Sequence, residues 1–449
     1  MSFQVPRTRW GGITDHRFRS VGFFSVEQAD GAFWLVDPDG GRFLSKGVDT
    51  VRFDQDKIRD TELVPYAEAC RRKYGGEQAW RRATAERLAG WGFNTLGSWS
   101  DEAVATAGPV PLSVTPNLDL GMSFAWQAND RSPSDPRQEF PDVFDPEFGR
   151  HVERKAREHC AQRSGDRNLI GWFIDNELRW GPDWRGPDEL LPMFLNLSIA
   201  TPGRIAAINL LRERHLDFEA FNAIWRTPAD SWEQLKAVPR LAAPYHREPR
   251  GEADRADPLR ARFIADCDAF LALLANRYFE LTTAAIRAAD PNHLVLGCRF
   301  TTPPPPAAAI DAAGRHLDVI SFNCYGHDAV GMIDAYASTG KPCLIGEFSF
   351  RAVDSGLPNS IGAGPLVATQ ADRASCFRHY VTAALRQPSI VGYHWFEHAD
   401  QPAQGRFDGE DCNYGMVTIE DRIYEDLTRA MTAVNSEAET LHAAAAVSS

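Results

Sequence analysis

The stretch Gly171-Trp172-Phe173-Ile174-Asp175-Asn176-Glu177 decides how this chain reads. A short continuous apolar run, of the length of a strand covered on both faces, delivers a carboxamide and a carboxylate as the chain leaves the core. The stretch Cys343-Leu344-Ile345-Gly346-Glu347-Phe348 does the same much later in the chain. Two carboxylates at the ends of apolar strands are useful to an enzyme only if the strands belong to one core, so the pattern around them matters.

Outward from these runs, strands alternate with helices. Strands are predicted at 44–48, 93–96, 112–118, 169–174, 294–298, 319–323, 343–346 and 390–395. Helical periodicity fills the gaps: 62–88, interrupted near Gly75-Gly76; from Asp145-Pro146 to about 162; then 262–289, 328–338, 370–386 and 424–434. Residues 32–43, with a Pro38-Asp39-Gly40 turn, predict a β-hairpin ahead of the first strand. Met122, Phe124 and Trp126 read as an aromatic loop. Eight apolar strands separated by helices predict an α/β chain folded as a (β/α)8 TIM barrel, with a short N-terminal β-hairpin and a large insertion after strand 4. The division expected is 1–30 as an N-terminal extension, 31–436 as the barrel including the insertion 181–258, and 437–449 as a flexible tail. A doubly wound sheet is disfavoured, because Val48-Asp49-Thr50-Val51-Arg52 holds no glycine-rich phosphate loop.

Bulk properties narrow the function. A net charge of -13 argues against duplex nucleic acid and anionic membranes as partners. No run approaches a membrane span, and Met1–Arg7 lacks the apolar core of an export signal. The expected compartment is the cytoplasm, or an exported location if a leader has been removed. The eight cysteines form no CxxC, and Cys298, Cys324 and Cys343 fall in predicted strands as small buried hydrophobes. No histidine spacing resembles HExxH, so neither metal nor cofactor is expected.

On a barrel, reacting groups gather at the C-terminal ends of the strands. Glu177 would end strand 4 and Glu347 strand 7. Glycosidic cleavage needs one protonated carboxyl for the leaving oxygen and one carboxylate to attack the anomeric carbon or activate water. Asn176 supplies an uncharged donor suited to a sugar 2-hydroxyl. Tyr325 could hold Glu347 as an oriented nucleophile, and Arg299 would favour ionised carboxylates nearby. Trp99 and Trp395 offer flat faces for sugar rings, and Glu397 and His398 complete the substrate-binding set. Each has a plainer reading: a rim charge for a glutamate, strand-end packing for Tyr325, an ion pair for Arg299, core filling for Trp395. His327 and His394 are weaker candidates, and Asp175 reads as structural. An aldolase or lyase would need a Schiff-base lysine or a metal cluster near the strand ends; Lys46 is the sole strand-borne lysine candidate, and Lys341 lies on the wrong side of strand 7.

Several motifs carry a resemblance. The Asn-Glu after strand 4, the Glu after strand 7 and the Trp after strand 8 resemble the retaining (β/α)8 glycoside hydrolases. Phe33-Trp34-Leu35-Val36-Asp37-Pro38-Asp39-Gly40 leading to Lys46-Gly47-Val48-Asp49, then Ile345-Gly346-Glu347-Phe348-Ser349-Phe350, resemble glycoside hydrolase family 50, known chiefly as β-agarases. Gly392-Tyr393-His394-Trp395-Phe396 through Gly405-Arg406, and Asn413-Tyr414-Gly415-Met416-Val417, extend the likeness over roughly 30–435. The resemblance implies Glu177 as acid/base and Glu347 as nucleophile of a retaining hydrolase. It would cleave β-galactosidic bonds of agarose-derived or related galacto-oligosaccharides. A β-glycosidase of another specificity, such as a β-glucosidase or β-mannosidase, and a non-catalytic glycan-binding barrel remain the alternatives. Such agarases usually carry an extra N-terminal β-domain; about 30 residues precede the hairpin in this sequence, so oligosaccharides or another β-galactoside are expected as substrates rather than polymeric agar. An oligosaccharide or polysaccharide is the expected partner, with homo-oligomerisation open.

Overall fold

A computed structural model describes residues 6–126, 139–247 and 256–445. The chain opens with an antiparallel sheet of β1 (Ile13–Arg17), β2 (Ser25–Ala29), β3 (Ala32–Val36) and β4 (Gly41–Phe43), in the order β1-β4-β3-β2. The expected hairpin is β3–β4. Asp37 Oδ1 accepts from the amides of Asp39 and Gly41, both at 3.0 Å, and Gly40 takes φ +87° to close the turn. Residues expected as an extension supply β1 and β2, so the N-terminal element is a four-stranded sheet and not a lone hairpin. A two-stranded hairpin is marginal alone, and the outer strands complete its pairing.

The parallel strands are β5 (Ser45–Val48), β6 (Thr95–Leu96), β7 (Ser113–Val114), β8 (Gly171–Phe173), β9 (Leu294–Gly297), β10 (Ile320–Asn323), β11 (Cys343–Phe348) and β14 (Ile390–Trp395). Six of them form one sheet in the order β10-β11-β14-β5-β6-β7, and β8 pairs with β9. Single parallel bridges join Val114 to Leu169, Asn117 to Phe173 and Phe300 to Phe322. A small parallel pair, β12 (Arg351–Ala352) with β13 (Leu366–Val367), lies outside this core. The result is an α/β fold with a central parallel sheet, surrounded by helices. Several strands are shorter than the apolar runs predicted, because twisted strand ends leave the ladder while their side chains stay buried.

The N-terminal sheet packs on the starts of these strands. Trp10, Phe24, Leu35 and Phe43 form one apolar cluster with Ile170, Leu296, Val319, Leu344 and Val391. The opposite, C-terminal strand ends are left for polar groups. The insertion after β8 holds helices Leu190–Leu195, Pro202–Arg214, Phe218–Trp225 and Trp232–Ala237. Helix Pro258–Ala289 then starts with the Asp257 carboxylate accepting from the amides of Leu259 and Arg260.

Two other expectations are corrected. Met122, Phe124 and Trp126 lie on helix Leu120–Trp126, whose first amides, of Gly121 and Met122, donate to the distant Asp175 carboxylate at 2.7 and 2.9 Å. The flexible tail expected at 437–449 is helical as far as it is described, within helix Glu425–Ala445. Alanine favours that extension intrinsically, and burial secures it. Glu439 pairs with Lys46 at 2.8 Å, and the His442 ring lies between the carbonyls of Leu385 and Phe33. Among the described residues, no helix is long and apolar enough to cross a membrane.

Candidate active site

Five successive parallel strands are followed by a non-glycine residue with positive φ: Thr50 (54°), Trp99 (60°), Asp119 (49°), Glu177 (52°) and Arg299 (49°). Such left-handed residues cost about 1–2 kcal/mol each, and a run of them at strand ends is accordingly a functional signal. Each sharp turn brings a strand end round so that the next side chains gather over the sheet.

Glu347 lies in β11 and is 5% exposed. Its Oε1 accepts from Arg299 Nη2 at 2.8 Å and its Oε2 from the Tyr325 hydroxyl at 2.6 Å. Both carboxylate oxygens are therefore held in place by donors from neighbouring strand ends. Arg299 Nη2 also reaches Asp49 Oδ2 at 2.8 Å and the Gly346 carbonyl at 2.9 Å. A Cβ at Gly346 would stand 2.8 Å from Arg299 Nε and 2.7 Å from Asn323 Oδ1, so glycine there admits the guanidinium.

Glu177 joins the same network through Asn323. Asn323 Nδ2 donates to Glu177 Oε1 at 2.9 Å and to Asn176 Oδ1 at 3.1 Å, while Asn323 Oδ1 accepts from Arg299 Nε at 3.4 Å. Burial, and next the negative charge of Glu347, push the Glu177 carboxyl up to about 7. Burial likewise pushes Asp49 up to about 8, although Arg299 opposes the shift. Burial, with Glu347 next, holds the Tyr325 phenol well above its usual range, so it stays a hydrogen-bond donor.

Trp99 also reaches the site. The Arg299 guanidinium lies over its ring, 4.7 Å from the centroid. Three other candidates do not reach it. Trp395 is fully buried, donates to the Tyr414 carbonyl at 3.0 Å and packs on Phe348 and Phe377. Strand alternation explains this: His394, one residue earlier, points inward to Ser45 at 2.8 Å, so Trp395 must point out to the helix layer. Glu397 is fully buried and accepts from Gln55 at 2.9 Å and Gln401 at 3.0 Å. His398 is sealed edge-on against Tyr66 and Trp80, and burial pushes it down to about 3, so it is neutral. His394 is buried below Asp49, His327 is exposed, and Lys46 points away to Glu439. A Schiff-base role for Lys46 is thereby removed.

Sequence reasoning missed Asp49, Asn323 and Phe396. Asp49 directly follows β5, and its space is created by glycine: a Cβ at Gly97 would stand 1.8 Å from Asp49 Oδ1. Asn323 is the last residue of β10, paired in register with Glu347. Phe396 follows the inward parity of His394 and packs edge-on to Tyr325 and Tyr414, at centroid distances of 6.4 and 5.6 Å. Counting in twos from His394 would have found it. Asp175 is structural as read, held by Tyr278 at 2.6 Å. All eight cysteines are free. Among the described residues, no group of three or more His, Cys, Asp or Glu is placed to hold a metal ion.

No family model matches the chain. It is 28% identical over 502 residues to β-agarase B of Vibrio sp. (strain JT0107), an alignment covering 97% of this chain and 50% of that protein. The chain spans about half the length of the curated agarases it matches. The solved structure of an exo-β-agarase is 24% identical with a TM-score of 0.80, covering 97% of this chain and 68% of the other. That of PfGH50B is 25% identical with a TM-score of 0.79, covering 98% and 70%. Over nearly its whole length, the chain carries the agarase-like fold of the family 50 glycoside hydrolases.

Proposed function

We propose that this protein is a retaining β-glycosidase that cleaves β-galactosidic bonds of agarose-derived oligosaccharides. The observation that carries the reading is the shared network in which Arg299 and Asn323 tie Glu347 to Glu177. In the first displacement Glu347 attacks the anomeric carbon, oriented by Arg299 and Tyr325. Glu177 protonates the departing glycosidic oxygen, a step favoured by its raised pKa. The glycosyl-enzyme bond then removes the charge of Glu347, which lowers the Glu177 pKa and suits it to take a proton from water. Hydrolysis returns the sugar with its configuration retained. Asn176, with its oxygen engaged by Asn323, has its amide nitrogen left for the sugar 2-hydroxyl.

The finer architecture belongs to the same proposal. The bridges Val114–Leu169, Asn117–Phe173 and Phe300–Phe322 support β7–β8 and β9–β10 contacts that would close the parallel strands into a (β/α)8 barrel. The insertion 181–258 belongs to that single catalytic unit. The galactosidic specificity rests on the likeness to agarases.

Incubation with agaro-oligosaccharides and chromogenic β-galactosides, β-glucosides and β-mannosides, with the first-formed anomer read by NMR, tests the reading. The β-anomer should appear first, from a galactoside. Glu347→Gln should lower turnover by at least about three orders of magnitude while leaving the fold intact. An α-anomer as first product refutes retention. Cleavage of none of the substrates, with oligosaccharide still bound, refutes catalysis.

A further inference from the structure

Beyond Trp99 lies a cavity of about 730 Å³ that the catalytic proposal leaves unused. The segments following β5 and β6 and the junction of helices Pro65–Tyr74 and Glu77–Gly90 build its walls. Trp99 belongs to both places: the Arg299 guanidinium sits over its ring, and its indole lines the cavity. The cavity is therefore one aromatic side chain away from the nucleophile's partner.

The lining has a particular chemistry. Arg52 donates twice to Asp54, at 2.7 and 2.8 Å, and Arg81 donates to Asp101 at 2.5 Å and Glu77 at 2.6 Å. Arg71 places its guanidinium over Phe53, 5.5 Å from the ring centroid. Three guanidinium groups and three carboxylates line the cavity, and Arg52 and Arg81 between them pair with all three carboxylates, so it has many donors and acceptors but no formal net charge. Side chains held in pairs present their remaining N–H groups and lone pairs in fixed directions, without a field that would select an ion. Gly75 and Gly76 leave the floor open, for a Cβ at either would meet no atom within 4 Å. Flat aromatic surface beside oriented polar groups, without net charge, matches a neutral polyhydroxylated ring. The volume suits roughly two such rings, by the usual size range of small-molecule sites.

We infer that this cavity is a sugar-binding subsite for neutral galactose-type rings of the substrate beyond the ring that is cleaved, with Trp99 as the shared wall. The inference rests on the glycosidase reading above and adds that productive substrates are oligosaccharides long enough to pass Trp99. Arg71 and Arg52 then determine preference for chain length, and Trp99 couples occupancy of the cavity to the setting of Arg299.

The test compares wild type with Arg71→Ala and Arg52→Ala on a single-ring aryl β-galactoside and on agaro-oligosaccharides of two, four and six rings. Wild-type kcat/KM should rise with length, and each variant should lower the long-to-short ratio about tenfold, mainly through KM. Arg71 is exposed, and an unchanged melting temperature for its variant separates lost binding from lost folding. A ratio that the variants leave unmoved, or a wild type indifferent to length, overturns the inference while leaving the hydrolase reading standing. If wild type cleaves nothing, the hydrolase reading fails, and calorimetric titration of the six-ring oligosaccharide decides the subsite alone. Equal affinity of wild type and Arg71→Ala then overturns it, and about tenfold weaker binding by the variant upholds it. Tighter binding of a sulfated oligosaccharide than of its neutral counterpart also overturns it.

Discussion

Glu177 offers the sharpest prediction, because its chemistry depends on one proton. Its carboxyl is pushed up from 4.5 to about 7, by burial first and by the charge of Glu347 second. An ordinary glutamic acid at pH 7 would be protonated in about one molecule in 300, whereas at a pKa of about 7 half the molecules hold the proton. The site thus raises the fraction of competent acid by roughly 150-fold at neutrality. If Glu177 is the proposed acid, its protonated form is the active one, so kcat/KM should be level on this limb below pH 7 and fall about tenfold per unit above it. Two substitutions move the limb in opposite directions. Asn323→Ala removes a hydrogen bond that favours the charged form, so its alkaline limb should shift upward. Glu347→Gln removes the neighbouring charge and turnover together, so its Glu177 is titrated by carbon NMR of the labelled carboxyl, with a lower pKa expected. A wild-type limb below about pH 5.5, or an Asn323→Ala limb moving down, would refute the electrostatic argument.

Three further outcomes follow from single contacts. Tyr325→Phe removes the 2.6 Å hydrogen bond to Glu347, and kcat should fall about tenfold to a hundredfold, read by steady-state kinetics with an unchanged melting temperature. Asp421 is a buried hub that accepts from Tyr66, Lys73, Tyr74 and both Nη atoms of Arg87. Asp421→Ala should cost about 3–5 kcal/mol in urea unfolding. Trp395→Ala should lower stability by about 3–5 kcal/mol, as a core truncation does; a large rise in KM with stability intact would instead restore its reading as a sugar platform.

Much of the fold was legible because parallel strands buried on both faces write themselves as continuous apolar runs, and the helices between them keep a 3.6-residue period. What failed were features set by distant partners. Helix Leu120–Trp126 begins where Asp175 accepts its first amides, and the C-terminal helix continues because Lys46 and the carbonyls of Phe33 and Leu385 await it. No local pattern announces either. The site divides the same way. Glu177, Glu347, Tyr325, Arg299 and Asn176 stand at strand ends with chemistry that names them. Trp395, Glu397 and His398 share the address but face elsewhere: Trp395 because adjacent residues on a strand point to opposite sides, and Glu397 and His398, beyond the end of β14, because Gln55 and Gln401 hold the one and Tyr66 and Trp80 enclose the other.

The sequence by itself determined the eight parallel strands, the main helices between them, and the two carboxylates that lie near the C-terminal ends of β8 and β11. Only the tertiary structure decided that Asn323 and Arg299 join those carboxylates, that Asp49 shares the guanidinium, and that burial outranks Glu347 in setting the Glu177 proton. The physical reason is range. Periodicity and propensity act over a few residues, whereas desolvation and hydrogen bonding act over a few ångströms between residues that the chain separates by hundreds.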